Sequence, residues 1–97
     1  MMRIVTIVRG KVPPERREGF EAAFASMGGE RPPRGLVESL LIRSSDESGN
    51  YAVLTVWSGR ESLEASAAGG RPRDVALFED AGAFATGEVS EIAGSYP

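Results

Sequence analysis

Two predicted strands, at residues 3–12 and 51–57, are apolar on both faces, and this feature constrains the fold of the chain most. In the first of them the β-branched residues Ile4, Val5 and Ile7 occupy both odd- and even-numbered positions, which point to opposite faces of a strand. A strand that is apolar on both faces is usually covered on both faces. We therefore expect these two strands at the centre of a sheet that is covered on each side.

The remaining segments predict two further strands and the helices between them. In residues 15–27, Phe20 and Phe24 fall on one apolar stripe at helical spacing, which predicts an amphipathic helix. The pair Ser58 and Glu61 matches the S-x-x-E capping box at the start of a helix. The other predicted elements are strands at residues 36–44 and 86–96, a helix from this capping box to about residue 68, and a helix that begins at Pro72.

This order of elements, β-α-β-β-α-β, predicts an α+β, ferredoxin-like fold with an antiparallel sheet. The usual strand order for that plan is 4-1-3-2, which places the two apolar strands in the centre. The predicted edge strands carry charged residues such as Glu38, Arg43 and Glu88. At 97 residues, we expect the chain to form one domain, residues 1–97.

The two-sided apolar pattern also predicts a partner. Regular alternation points Val5 and Leu54 away from the face of Val8 and Trp57, and the helices can cover only one face of the sheet. The other face would stay exposed unless a second copy packed against it with two-fold symmetry. We expect a homodimer, with a monomer as the alternative.

Composition excludes several classes of function. The net charge is −3, which offers no basic face to nucleic acid or to an anionic membrane. The chain has no Cys and no His, which removes Ser-His-Asp nucleophiles, Cys/His zinc sites and His-ligated haem. No stretch is long and apolar enough for a leader or a membrane span. We expect a cytoplasmic protein without a metal or cofactor.

Residues 34–43 and 51–64 resemble the antibiotic biosynthesis monooxygenase family. The likeness is carried by a second strand that begins at Gly35 and by a third strand that ends in Trp57-Ser58, followed by Glu61. The resemblance implies a dimeric α/β barrel, in which two ferredoxin-like subunits join their sheets, and a small-molecule pocket between helices and sheet. Members include cofactor-free oxygenases that oxidise phenolic or anthrone-like aromatics to quinones, and haem-degrading oxygenases.

Individual positions distinguish these branches. The haem-degrading branch has an Asn, a Trp and a His where this chain has Val8, Trp57 and Ala67. Only the Trp is present, so we reject that branch. The aromatic oxygenases have an Asn where this chain has Val53, which departs from their pattern as well.

The candidate substrate-binding residues are the aromatic and hydroxyl side chains that the pattern directs toward the helices. Trp57 is the first, because an indole stacks on planar molecules and its N–H donates to oxygen; core packing explains it equally. The others are Phe24, Phe78, Thr6 and Thr55. We name no catalytic residue, although Glu38 and Tyr51 are candidate acid–base groups, and Arg9 and Arg43 are candidate anion-binding groups.

The hypothesis that follows is a cofactor-independent monooxygenase that oxidises a small electron-rich aromatic, such as a phenol, quinol or anthrone, with O₂. One alternative is a dimeric module that binds a small molecule without turnover. The other is a non-oxidative cyclase or isomerase of the same fold.

Overall fold

The computed structural model describes residues 2–97, and Met1 lies outside it. The strands alternate with helices in the order predicted. The strands are β1 Ile4–Lys11, β2 Leu36–Arg43, β3 Asn50–Trp57 and β4 Thr86–Glu91, and the helices are α1 Arg17–Met27, α2 Arg60–Ala67 and α3 Arg73–Asp80.

The four strands form one antiparallel sheet in the order β2-β3-β1-β4. This is the predicted order, and the two strands that are apolar on both faces are indeed central. The α+β, ferredoxin-like prediction is therefore confirmed. The extent of the last strand was wrong, since β4 ends at Glu91 and residues 92–97 continue without regular structure.

The helices lie against the face of the sheet that holds Ile4, Val8 and Val53, which are all buried. The core below α1 and α3 is centred on the rings of Phe20 and Phe78, whose centroids are 4.9 Å apart. The same buried cluster contains Val12, Tyr51 and Ala81.

The opposite face of the sheet has no cover from this chain. Leu40 and Ile42 of β2 are 45% and 46% exposed, and Val5, Ile7 and Leu54 beside them are only half-buried. This apolar surface is the one that the alternation predicts. That a second copy covers it stays a prediction.

Two local expectations were wrong. A β-bulge between Leu36 and Glu38 turns Leu36 to the helix side, whereas regular alternation would keep it beside Leu40. The predicted capping box does not form: Gly59 is the N-cap of α2, and the Ser58 hydroxyl pairs with Ser62 Oγ at 3.1 Å.

The β2–β3 hairpin is tied to α1 by one guanidinium. Arg17 donates from Nε to the Val12 carbonyl at 3.0 Å and from its two Nη atoms to the carbonyls of Glu47 and Ser48 at 3.3 Å. Gly49 fits beneath this group with φ +84°, where a Cβ would stand 2.2 Å from Arg17 Nη2. The hydrogen bonds of Arg17 therefore link the start of α1 to the tip of the hairpin.

Among residues 2–97, no helix has the length and apolarity required to cross a membrane. The single domain and the cytoplasmic location stay predictions.

Candidate functional site

A cavity of about 590 Å³ separates the helices from the sheet. This volume lies within the range of about 300–1,000 Å³ that is typical of small-molecule sites. Sheet residues form its floor, and α1, α2, α3 and the loop after α1 form its walls. The apolar residues around it include Val8, Phe24, Met27, Pro32, Pro33, Leu36, Val53, Trp57, Leu63, Ala67, Val75, Leu77 and Val89.

The indole of Trp57 lies in the floor at the end of β3. Trp57 pairs across the sheet with Ile4 and Leu36, and its side chain is only 6% exposed. Its Nε1–H donates to Thr6 Oγ1 at 3.3 Å. Because Thr6 accepts this bond, its own hydroxyl proton is left free to donate to another oxygen.

A row of hydroxyl groups crosses the floor on three adjacent strands. Thr6 of β1 is paired with Thr55 of β3, and Thr55 is paired with Ser39 of β2. The hydroxyls of Ser39 and Thr55 are 3.0 Å apart, so one donates to the other. The second hydroxyl of that pair keeps a free proton. The row therefore offers at least two donors to a ligand in an otherwise apolar cavity.

Ser39 was missed by reasoning from the sequence. Serine in an edge strand gives no signal of its own, and the predicted strand did not say which of its faces turns toward the helices. Its place on the floor follows from the pairing with Thr55.

The positions that the family resemblance singles out do lie around the cavity. Val8, Val53 and Ala67 all line it, together with Trp57. Three of the four are apolar, so this chain keeps the location of the family's polar groups but not their chemistry.

Of the predicted substrate-binding residues, the structure brings Trp57, Thr6, Thr55 and Phe24 to the cavity. It does not bring Phe78, which is fully buried in the core against Phe20. Helical spacing identified which side of α3 is buried, but it could not distinguish residues packed in the core from residues that line the cavity. That the four cavity residues bind a substrate stays a prediction.

The candidate acid–base and anion-binding residues lie elsewhere. Glu38 is exposed on the uncovered sheet face. Tyr51 is buried under α1 and donates its hydroxyl proton to Glu21 Oε2 at 2.5 Å, and Arg43 donates to the same oxygen at 2.9 Å. Arg9 pairs with Glu88. Neither Arg9 nor Arg43 lines the cavity.

This cluster affects the pKa values of its members. The hydrogen bond from Tyr51, with a smaller contribution from Arg43, lowers the pKa of Glu21. Burial, followed by the neighbouring Glu21 carboxylate, raises the pKa of the Tyr51 hydroxyl. Both effects keep the proton on Tyr51 and off Glu21, which suits a structural link between α1 and the sheet.

One carboxylate of the cavity wall is sheltered from water. Asp74, in the first turn of α3, is half-buried, and desolvation raises its pKa above the ordinary 3.8. The sequence assigned Asp74 only a favourable position at a helix start. Its place on the cavity wall depends on how α3 packs, which the sequence pattern does not specify.

Within residues 2–97, no group of three His, Cys, Asp or Glu side chains is arranged to hold a metal ion. The side chains that line the cavity can supply hydrogen bonding, from Thr6, Thr55 and Ser39, and aromatic stacking, from Trp57 and Phe24.

Comparison with known proteins identifies a matching family and solved structures of the same fold. Residues 3–73 match the family model described as "Antibiotic biosynthesis monooxygenase". No curated protein matches the chain.

Among solved structures, the chain resembles SnoaB, a cofactor-independent oxygenase from Streptomyces nogalater, with 18% identity, a TM-score of 0.70 and coverage of 100% of this chain and 99% of that one. It also resembles a haem-degrading protein from Mycobacterium tuberculosis (22% identity, TM-score 0.73, 99% and 97% covered). A third likeness is a conserved protein from Methanosarcina mazei (14% identity, TM-score 0.72, 93% and 92% covered). Likeness at these identities establishes a shared fold.

Proposed function

The chain belongs to the antibiotic biosynthesis monooxygenase family, and from this premise we propose that it is a cofactor-independent monooxygenase of a small electron-rich aromatic. The observation that carries the proposal is the apolar cavity of about 590 Å³ with an indole and a row of hydroxyls in its floor. Such a cavity accepts a flat ring and orients its oxygen atoms.

The substrate supplies the reducing electrons in this chemistry. A phenol or an anthrone loses a proton and becomes an electron-rich anion, which passes one electron to O₂. The resulting radicals combine at a ring carbon to give a peroxide, which takes up a proton. Loss of water then leaves a carbonyl group, so that one CH₂ and one O₂ give one C=O and one H₂O.

The protein contributes placement and electrostatics. The rings of Trp57 and Phe24 stack with the substrate, and the free hydroxyl protons of Thr6 and the Ser39–Thr55 pair donate to its oxygen. Donors fixed in advance stabilise negative charge as it develops, and they do so more strongly where water is excluded.

The functional unit in this proposal is a homodimer. The uncovered apolar face, which includes Ile7, Leu40 and Leu54, would pack against the same face of a second copy and leave both cavities on the outer, helical side. The proposed location is the cytoplasm.

A binding module without turnover is the second candidate. It is favoured by the apolar side chains at Val53 and Ala67, where the family resemblance implies polar groups. A cyclase or isomerase that uses Glu38 or Tyr51 has less support, because neither residue lines the cavity.

The test measures O₂ consumption by metal-free protein with anthrone and a panel of quinols, and ligand binding by quenching of the Trp57 fluorescence. A variant that fills the cavity, Ala67→Phe, should lose both signals. Its matched control is Ala65→Phe, which is also on α2 and exposed like Ala67 but does not line the cavity, and it should keep both signals.

Quenching without O₂ consumption for every compound would favour the binding module. No quenching and no consumption would refute the proposed class of ligand. Equal activity in the two variants would refute the cavity as the site.

A further inference from the structure

Asp74 holds the sheltered carboxylate of the cavity. It lines the wall from the first turn of α3, and its Oδ1 accepts a hydrogen bond from the Val75 N–H at 3.0 Å. Across residues 2–97, no side chain donates to this carboxylate and no cation pairs with it. Its second oxygen has no hydrogen-bond partner in that part of the chain and is not fully enclosed by protein, so it is free to accept a further hydrogen bond.

The other charged groups around the cavity are engaged or exposed. Glu30, in the loop after α1, pairs with Arg73, and Glu88 of β4 pairs with Arg9. Glu64 of α2 is exposed. The faces that α1 and β1 turn to the cavity carry only apolar and hydroxyl residues. Nothing nearby therefore neutralises Asp74, and the only cation of the described cavity wall, Arg73, already has its counter-ion.

We propose that Asp74 accepts the hydroxyl proton of the aromatic ligand, and that the ligand is a neutral hydroxylated ring without a carboxylate or sulfate group. This inference rests on the proposed function and gives it a catalytic base. An acidic ligand would face an unpaired carboxylate, and the one nearby cation, Arg73, is already paired with Glu30, so the site disfavours that class.

The proton transfer fits the oxidation step by step. The ligand O–H bond breaks, and the proton moves to a carboxylate oxygen of Asp74 while the electron pair stays on the ring. After the anion has reduced O₂ and the peroxide has formed, the same proton returns to the terminal peroxide oxygen. The O–O bond of the hydroperoxide then breaks as the remaining hydrogen on that ring carbon is lost as a proton, so that the inner oxygen becomes the carbonyl and the outer one leaves as water. Asp74 has returned its proton and is again a carboxylate.

The raised pKa of Asp74 supports this role, because a base whose pKa lies nearer to that of its substrate takes up the proton more readily. Burial among apolar residues is the cause of the shift. A solvated aspartate would be a weaker base at the same position.

Binding tests the inference without any turnover. The probes are 2-naphthol and 2-methoxynaphthalene, which share a ring system and an oxygen acceptor but differ in the hydroxyl proton. Trp57 fluorescence reports their affinities for the unaltered protein, for Asp74→Asn and for the matched control Asp80→Asn. Asp80 lies on the same helix but is exposed and away from the cavity.

We expect the unaltered protein and Asp80→Asn to bind 2-naphthol at least about tenfold more tightly than its methyl ether, because a hydrogen bond to a charged acceptor is strong. In Asp74→Asn this preference should fall several-fold while the affinity for the ether is unchanged. An equal preference in all three proteins, or no preference in the unaltered protein, would overturn the inference.

Turnover of anthrone, whose enol form carries a ring hydroxyl, tests the catalytic role. We expect Asp74→Asn to lower kcat by about 100-fold or more, with a smaller change in KM. The unaltered enzyme should lose activity as Asp74 is protonated at acidic pH, and the variant should lack that limb of the pH profile. An unchanged kcat and pH profile would refute Asp74 as the base.

The two arms separate this inference from the proposed function. A hydroxyl preference that depends on Asp74, without O₂ consumption, would refute the oxygenase and support Asp74 as the recognition group. O₂ consumption that is insensitive to Asp74→Asn would support the oxygenase and overturn the inference.

Discussion

Replacement of Gly35 by alanine will displace α2 from the sheet. Gly35 has φ +86°, a left-handed conformation that costs an L-residue with a side chain about 1–2 kcal/mol. A Cβ at this position would lie 1.9 Å from Ser62 Oγ and 2.4 Å from Ser62 Cβ. Rotation of Ser62 moves the oxygen but not its Cβ, so either the helix or the strand must move.

The loss of stability is the sum of two contributions, the strained backbone at residue 35 and the steric clash with Ser62. Carbon atoms pack at about 3.5–4.0 Å, so the 2.4 Å contact requires a shift of more than about 1 Å, and overpacking of this kind typically costs about 1–3 kcal/mol. With the cost of the backbone conformation added, we expect Gly35→Ala to lower the free energy of unfolding by about 2–5 kcal/mol. For a domain of this size, the melting temperature would fall by roughly 8–40 °C.

Urea denaturation followed by circular dichroism measures this change in a double-mutant cycle with Ser62→Gly. In the Ser62→Gly background the clash is absent, so Gly35→Ala should cost only the backbone term of about 1–2 kcal/mol. The matched control is Gly19→Ala inside α1, where a Cβ meets nothing within 4 Å. It should stabilise the protein by up to about 1 kcal/mol.

An equal cost of Gly35→Ala in both backgrounds would show that α2 does not rest on this glycine. If Gly35→Ala does displace α2, the cavity will change shape as well, because Leu36 and Leu63, the neighbours of Gly35 and Ser62, both line it.

Three further predictions concern the interface, the buried acid and the cluster under α1. Leu54→Glu places a charge on the uncovered sheet face, and we expect sedimentation at micromolar concentration to give the mass of one chain for this variant and of two for the unaltered protein; the mass of one chain for both would remove the dimer. Folding raises the pKa of Asp74 above its ordinary 3.8. Between pH 3.8 and the higher pKa of the folded state, the folded protein binds more protons than the unfolded chain, so its stability falls as the pH rises through that range. Unfolding experiments should show this loss relative to Asp74→Asn, and a difference that is independent of pH would contradict it. Tyr51→Phe removes the main cause of the lowered pKa of Glu21, so an NMR titration should show that pKa rise, and an unchanged value would refute the hydrogen bond.

The fold could be predicted from the sequence because its central strands carry an unusually strong signal. β1 and β3 carry apolar residues on both of their faces, a pattern that is typical of strands in the middle of a sheet. Helix α1 followed in the same way from the spacing of Phe20 and Phe24.

The site could be predicted only in part. The floor residues Thr6, Thr55 and Trp57 followed from alternation along two regular strands. Ser39 did not, because its strand carries a bulge and the sequence did not say which face of it meets the helices. Phe78 and Asp74 depend on the packing angle of α3, which is set by contacts between distant segments rather than by local pattern.

The link between Arg17 and the hairpin has a practical consequence for engineering. Residues 44–49 form an exposed turn of the kind usually chosen for grafting a peptide or splitting a chain. Here the carbonyls of Glu47 and Ser48 are held by the helix that supplies Phe24 to the cavity wall. A graft that displaces those carbonyls would loosen α1, so tags and sensor peptides are better attached at the end of the chain, where residues 93–97 are exposed and have neither helix nor strand structure.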